Sequence, residues 1–158
     1  MKDIYKTAVM QVLGGSGFTE FSIEADADCC SVSDVISTIG LTGDLKGYFM
    51  LRADLESARS FATLMAQNLG IPQEEDGPGP LGRLRKEAIG EISNQIAGRA
   101  IMLLSELGYD CNITPPTIIT GENVYTDMVN FEKILRYLIS GPFGKMTVFV
   151  GLKNGKNQ

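Results

Sequence analysis

The sequence predicts an α+β fold: a single domain over residues 1–158, with two long helices packed on an antiparallel sheet built from a duplicated helix-hairpin unit. Three observations lead there. Segments with apolar residues at three- and four-residue steps alternate with short runs rich in Val, Ile, Tyr and Phe. Two of those runs, residues 43–51 and 144–152, share a pattern: Gly first, Leu or Met third, an aromatic sixth and Leu ninth. A chain of 158 residues with 44% hydrophobic and 21% charged residues is also long enough for one core. Such a core buries about 70% of the surface exposed by the unfolded chain.

In chain order, residues 2–14 carry Ile4, Ala8, Val9, Val12 and Leu13 among polar neighbours, an amphipathic helix ended by Gly14-Gly15. Strand-like alternation follows at Phe18, Phe21 and Ile23. Residues 31–40 and 43–52 read as a hairpin joined by the tight Leu-Thr-Gly connection. Asp54 is placed to cap the next helix, whose Leu55, Ala58, Phe61, Ala62, Met65 and Leu69 recur with helical spacing. The acidic, Pro- and Gly-rich stretch from Pro72 to Pro80 reads as a mobile loop, over about residues 72–82. Neither flank looks able to close a separate core, so it is not read as a domain linker. Residues 83–107 form the longest helical pattern, stopped at Gly108. Pro115-Pro116 force extended chain, residues 117–120 read as a short strand, and residues 130–139 and 145–153 form a second hairpin around Gly141-Pro142-Phe143-Gly144. The last strand is expected at a sheet edge, where it could support self-association. In the duplicated unit, the helix over 2–14 corresponds to the one that starts at 83.

Composition excludes much chemistry. The chain has no histidine, so it cannot build a Ser-His-Asp triad, a Cys-His pair, a His general base or a His-ligated metal of its own. Fourteen Lys and Arg against 19 Asp and Glu give a net charge of −5, which disfavours nucleic acid and anionic membrane as partners. Cys29, Cys30 and Cys111 are an odd number without CxxC spacing, as expected of reduced thiols rather than a zinc cage. The most apolar stretch, residues 96–104, contains Arg99 and is far shorter than the roughly 20 residues of a membrane span. The amino terminus has no signal-type apolar block, and cytoplasmic residence is the expectation.

The long helix carries the functional signal. At about 100° per residue, Ile89, Ile92, Ile96, Ala100, Leu103 and Leu107 share one side, which is assigned to the core. Glu87, Glu91, Asn94 and Gly98 follow steps of four, three and four residues along the opposite side. A carboxylate and a carboxamide one turn apart on a rigid helix hold two polar groups in fixed relation. The carboxylate can accept from an ammonium, the amide can orient a water, and a bare glycine beyond them admits another backbone. Asn and mid-helix Gly lower helix propensity by about 0.7 and 1 kcal/mol relative to Ala, so their presence on a surface stripe asks for a reason. Spacing alone leaves the stripe a candidate interaction face, and a solvated helix surface has the same pattern.

The run from Lys86 to Ala100, Lys-Glu-Ala-Ile-Gly-Glu-Ile-Ser-Asn-Gln-Ile-Ala-Gly-Arg-Ala, and the run Asp110-Cys-Asn-Ile-Thr-Pro-Pro-Thr-Ile-Ile-Thr-Gly121 resemble the CheC, CheX and FliY family of chemotaxis phosphatases. Glu91 and Asn94 match that family's Glu-x-x-Asn, and Pro116 matches its downstream proline. Glu87 stands where the family usually has Asp or Ser, and Pro116 lies one residue closer to Asn94 than usual. Residues 4–13 hold no second Glu-x-x-Asn, which resembles the one-site CheX arrangement. The resemblance implies dephosphorylation of the aspartyl phosphate on a CheY-type response regulator. Asn94 would orient the attacking water and Glu91 would pair with a partner lysine, with Glu87, Gly98 and Pro116 at the docking surface. It implies no cofactor bound by this chain, Mg²⁺ on the partner, and a homodimer. A non-catalytic receiver-binding module and a dimeric adaptor remain open alternatives at this point.

Overall fold

The computed structural model describes residues 4–25, 32–71, 81–125 and 131–154. The expected acidic loop over residues 72–80, together with Cys29 and Cys30, lies outside the described residues. Three helices, α1 (Ile4–Gly15), α2 (Leu55–Asn68) and α3 (Arg83–Glu106), accompany seven described strands. These are β1 (Ser22–Ala25), β2 (Val32–Gly43), β3 (Leu45–Ala53), β4 (Cys111–Ile113), β5 (Thr117–Tyr125), β6 (Lys133–Gly141) and β7 (Gly144–Asn154). The three helical segments read from the sequence are all helices among the described residues, and α3 is much the longest.

The sheet is antiparallel in the order β1-β6-β7-β3-β2-β4, and β5 also pairs with β2. This order is a palindrome of two like units. The β2–β3 and β6–β7 hairpins meet along β3 and β7, and each unit hands its outer strand to the other's hairpin. Phe49 and Val150, which hold the same place in the two matching nine-residue runs, are Cα partners of each other. An internal two-fold axis passes between them, as the sequence repeat requires.

Register corrects two expectations. The Leu-Thr-Gly segment is strand rather than turn, because Leu41, Thr42 and Gly43 pair with Ile113, Asn112 and Cys111 of β4. The chain reverses one residue later, around Asp44. The last strand is central rather than an edge, because β7 pairs with β3 on one side and β6 on the other. The sheet's outer strands are β1 at one side and β4 with β5 at the other.

The helices cover one face of the sheet, and α1 and α2 both pack on α3. Alternation in the strands sends Val35, Ile39, Leu41, Phe49, Leu51, Val148 and Val150 into the shared core beneath them. Asp54 caps α2 by accepting from the Ser57 backbone N–H at 2.7 Å, while Asp34 accepts from Leu55 N at 2.9 Å. Phe61 of α2 stacks on Phe18 at 4.9 Å, and Phe143 of the β6–β7 turn meets both rings edge-on. The other sheet face holds a smaller cluster of Ile36, Met50 and Phe149, with the Arg52 and Arg136 guanidinium groups 4.6 and 5.0 Å from the Phe149 ring.

Ile89, Ile92, Ile96 and Ala100 of α3 are buried as their period demands. Leu103 is half-buried and packs against the core, Leu104 is buried beside it, and Leu107 is exposed. Leu107 is the C-cap, where the chain has already left helical geometry before Gly108 (φ 92°), so the 100° step no longer directs its side chain.

Tyr5 of α1 is buried against Phe49 and Tyr137. Burial pushes its phenol well above the usual value of 10, and Cys111 and Tyr137 push the same way. The unfolded chain ionises Tyr5 near its ordinary value while the fold resists, so this stability is complete below about pH 10 and lost as pH rises further. Denaturant titrations at several pH values should show the parent protein losing stability above pH 10 more steeply than Tyr5→Phe; parallel curves would contradict the assignment.

Candidate functional site

Along α3 the side chains sort into a buried row and an exposed row. Gly90, Ser93 and Ala97 join the isoleucines in the core, and Ser93 returns its hydroxyl to Ile89 O at 2.8 Å, leaving no buried polar atom of its own unmet. Glu87 and Glu91 are exposed, with Asn94 and Gly98 half-buried. Gln95, one turn beyond Glu91, donates from Nε2 to Glu91 Oε1 at 3.0 Å.

Opposite this helix runs the outer strand of the sheet, interrupted between β4 and β5. Pro115 and Pro116 have no N–H to give to β2, so the ladder cannot pass through them. Thr114 makes the join instead. Its N–H donates to Gly40 O at 2.9 Å, and its Oγ1 accepts from Gly40 N–H at 2.7 Å. The two prolines are thereby fixed as a short wall beside α3.

An open groove of about 820 Å³ lies between helix and wall, lined on the helix side by Lys86, Glu87, Gly90, Glu91 and Asn94. Pro115, Pro116, Thr114, Ile113 and Ile118 line the other side. Its floor depends on Gly90: a Cβ there would stand 3.2 Å from Ile118 Cδ1 and 3.6 Å from Pro116 Cγ. The wall can lie this close to α3 because position 90 has no side chain.

Of the residues expected from sequence, Glu87, Glu91, Asn94 and Pro116 come together in this groove. Gly98 does not line it; among the described residues a Cβ at Gly98 would meet nothing within 4 Å. The sequence reading missed Gly90, Thr114 and Gln95. Gly90 was a second glycine inside the helical pattern, and Gln95 stands four residues after Glu91, a spacing that pairs side chains on a helix. Thr114 carried no signal beyond its place before two prolines.

Chemically, the groove offers a solvent-facing carboxylate, a carboxamide one turn away and apolar walls. Among the described residues that line it there is no thiol, imidazole or hydroxyl placed beside a general base, so positioning is what these residues can contribute to a reaction. Among the described residues no group of three His, Cys, Asp or Glu is arranged to hold a metal.

A family model described as chemotaxis phosphatase CheX matches residues 35–135, more than half of the chain. The chain belongs to the CheX family. The CheY-P phosphatase CheX of Thermotoga maritima is 31% identical over 106 residues. That alignment covers 67% of this chain and 63% of the relative, so it spans less than two thirds of the relative's length. The fold is similar to that of CheX from Desulfovibrio desulfuricans, with a TM-score of 0.77 at 21% identity over 96% of this chain and 97% of that one. It is also similar to the Borrelia burgdorferi CheX solved as a CheX-CheY-BeF3-Mg²⁺ complex, with a TM-score of 0.72 at 24% identity over 96% and 97% of the two chains. The family expected from residues 86–121 is the one matched, and the α+β fold agrees.

The Thr114 clasp is open to test. Thr114→Val keeps the side-chain volume and removes the acceptor for Gly40 N–H. It should lower stability by about 1 kcal/mol in urea denaturation and speed amide exchange at Gly40. Unchanged exchange at Gly40 would show that the prolines are held by something else.

Proposed function

We propose that the chain is a phosphatase acting on the aspartyl phosphate of a CheY-type response regulator, with Glu91 and Asn94 entering the partner's active site from the groove. The observation that carries this reading is the placement of Glu91 and Asn94 on one exposed turn of α3, on the open side of a groove, in a chain of the CheX family. The relative from Thermotoga maritima bears the name CheY-P phosphatase, and the structure from Borrelia burgdorferi pairs a CheX with CheY.

On this reading the electrophile comes with the partner. An aspartyl phosphate is a reactive mixed anhydride, and its phosphorus needs an in-line water more than it needs a strong base. The Asn94 carboxamide donates one hydrogen bond and accepts another, which fixes the water's orientation without taking its proton. The Glu91 carboxylate accepts from a lysine ammonium of the partner and sets the docking register. Glu87 and Pro116 flank the approach at opposite sides of the groove, and the bare helix surface at Gly98 lets the partner's backbone approach one turn further on. Charge on the phosphoryl group would be met by Mg²⁺ held on the partner, a reading supported by the Borrelia structure, which is of a complex of CheX, CheY, BeF3 and Mg²⁺. This chain would bind no cofactor, and it would work in the cytoplasm alongside the regulator.

The test is phosphate release from phosphorylated CheY-type receivers. Asn94→Ala should fold normally and reduce the maximal stimulated rate by about 10²-fold or more. Glu91→Ala should mainly raise the receiver concentration needed for half-maximal rate. Undiminished release by Asn94→Ala would overturn the mechanism, and tight binding without faster decay in the parent protein would favour a docking module.

The proposal includes a homodimer. Ile119, 45% exposed, lies on the outer strand β5, and an edge strand offers unpaired backbone groups to a second copy. Size-exclusion chromatography with light scattering should give twice the chain mass; the mass of a single chain at high concentration would refute it.

A further inference from the structure

The Glu91 carboxylate ends a side chain with three rotatable torsions on an exposed helix face, and such a group loses rotamer freedom when it docks. In this chain it is already restrained. Gln95 Nε2 donates to Glu91 Oε1 at 3.0 Å, across one helical turn. Gln95 is exposed and does not line the groove, so it is placed to act on the carboxylate and not on whatever enters beside it. The bond engages one carboxylate oxygen, Oε1, and a carboxylate has a second oxygen with which to accept from an incoming cation.

The chemistry of the donor matters. A lysine at position 95 would hold the carboxylate more strongly, since Glu followed by Lys four residues later is a favourable helix pair. It would also neutralise the charge meant for a partner and present a like charge to an arriving ammonium. A carboxamide restrains the carboxylate and leaves its charge intact. From this geometry we infer that Gln95 is a positioning residue for Glu91: it pre-orders the carboxylate for a cationic group on the partner. This rests on the reading of Glu91 as the docking carboxylate.

The experiment is a double-mutant cycle on stimulated dephosphorylation, using full-length chains and a phosphorylated CheY-type receiver over a range of concentrations. Gln95→Ala should raise KM about three- to tenfold, the cost of ordering one side chain, and leave kcat within about twofold. In the Glu91→Ala background the same substitution should change KM no further. Gln95→Lys supplies the readout that a merely structural role would not move: its melting temperature should equal or exceed that of the parent, while its KM rises above that of Gln95→Ala. The inference is overturned if Gln95→Ala raises KM equally in both backgrounds, if it lowers kcat instead, or if Gln95→Lys docks as well as the parent. A parent-like KM for Glu91→Ala overturns the docking role of Glu91 itself, and is read directly from that single variant.

Discussion

Nine consecutive residue pairs join β3 to β7, from Leu45 against Asn154 to Ala53 against Met146, and the rest of the molecule hangs on this ladder. It is the seam between the two like halves. Because it is antiparallel and centred on Phe49 and Val150, it sets the halves about a two-fold axis and decides where every other strand lies. β1 falls beside β6, and β4 and β5 fall beside β2. A shift of one residue along this seam would set the inward row of one strand, Phe49 and Leu51 or Val148 and Val150, on the opposite face from its partner's and break up the floor beneath the helices.

The site follows from that seam by three further steps. The outer strand of the second half is forced against β2, where Pro115 and Pro116 interrupt the ladder and Thr114 restores contact through Gly40. α3, buried along its isoleucines, lies over the same edge of the sheet and touches β4 and β5. Gly90 lets helix and wall close to side-chain contact distance, and Glu87, Glu91 and Asn94 then stand along the groove because they are one turn apart on the outward row. The first half presents α1 in the corresponding place without an acid and an amide at that spacing, so the symmetry of the fold is not carried into the chemistry.

Much of this was legible in the residues because it depends on period and local chemistry. The 3.6-residue pattern located all three helices, Asp54 marked the start of α2, and the repeated Gly-opened runs foretold the two central strands. The parts that were not legible depend on pairing between distant segments. Cys111 to Ile113 is too short to announce itself as a strand and exists because β2 extends through Gly43 to meet it. The same pairing turned a supposed connection into strand, and the central position of β7 could not be read from its closeness to the chain end. For the site, Glu91 and Asn94 were found through their spacing and family pattern, whereas Gly90 and Thr114 acquire their roles only when the proline wall is brought beside the helix. The missing histidine also takes on a sharper meaning. On the proposed reading, a groove that would supply an oriented carboxylate and amide, and would take metal, electrophile and lysine from its partner, would have no step that requires imidazole.

The central claim is that the groove turns over a partner's acyl phosphate instead of merely holding it. The most direct measurement is the time course of phosphate loss from an excess of phosphorylated CheY-type receiver, with the chain at a small fraction of the receiver concentration. The account predicts that the whole receiver pool is emptied, each chain serving many receivers in turn, at a rate proportional to the chain added. A time course in which only an amount of receiver equal to the added chain is affected, or in which the phosphoryl group lasts longer, would contradict it.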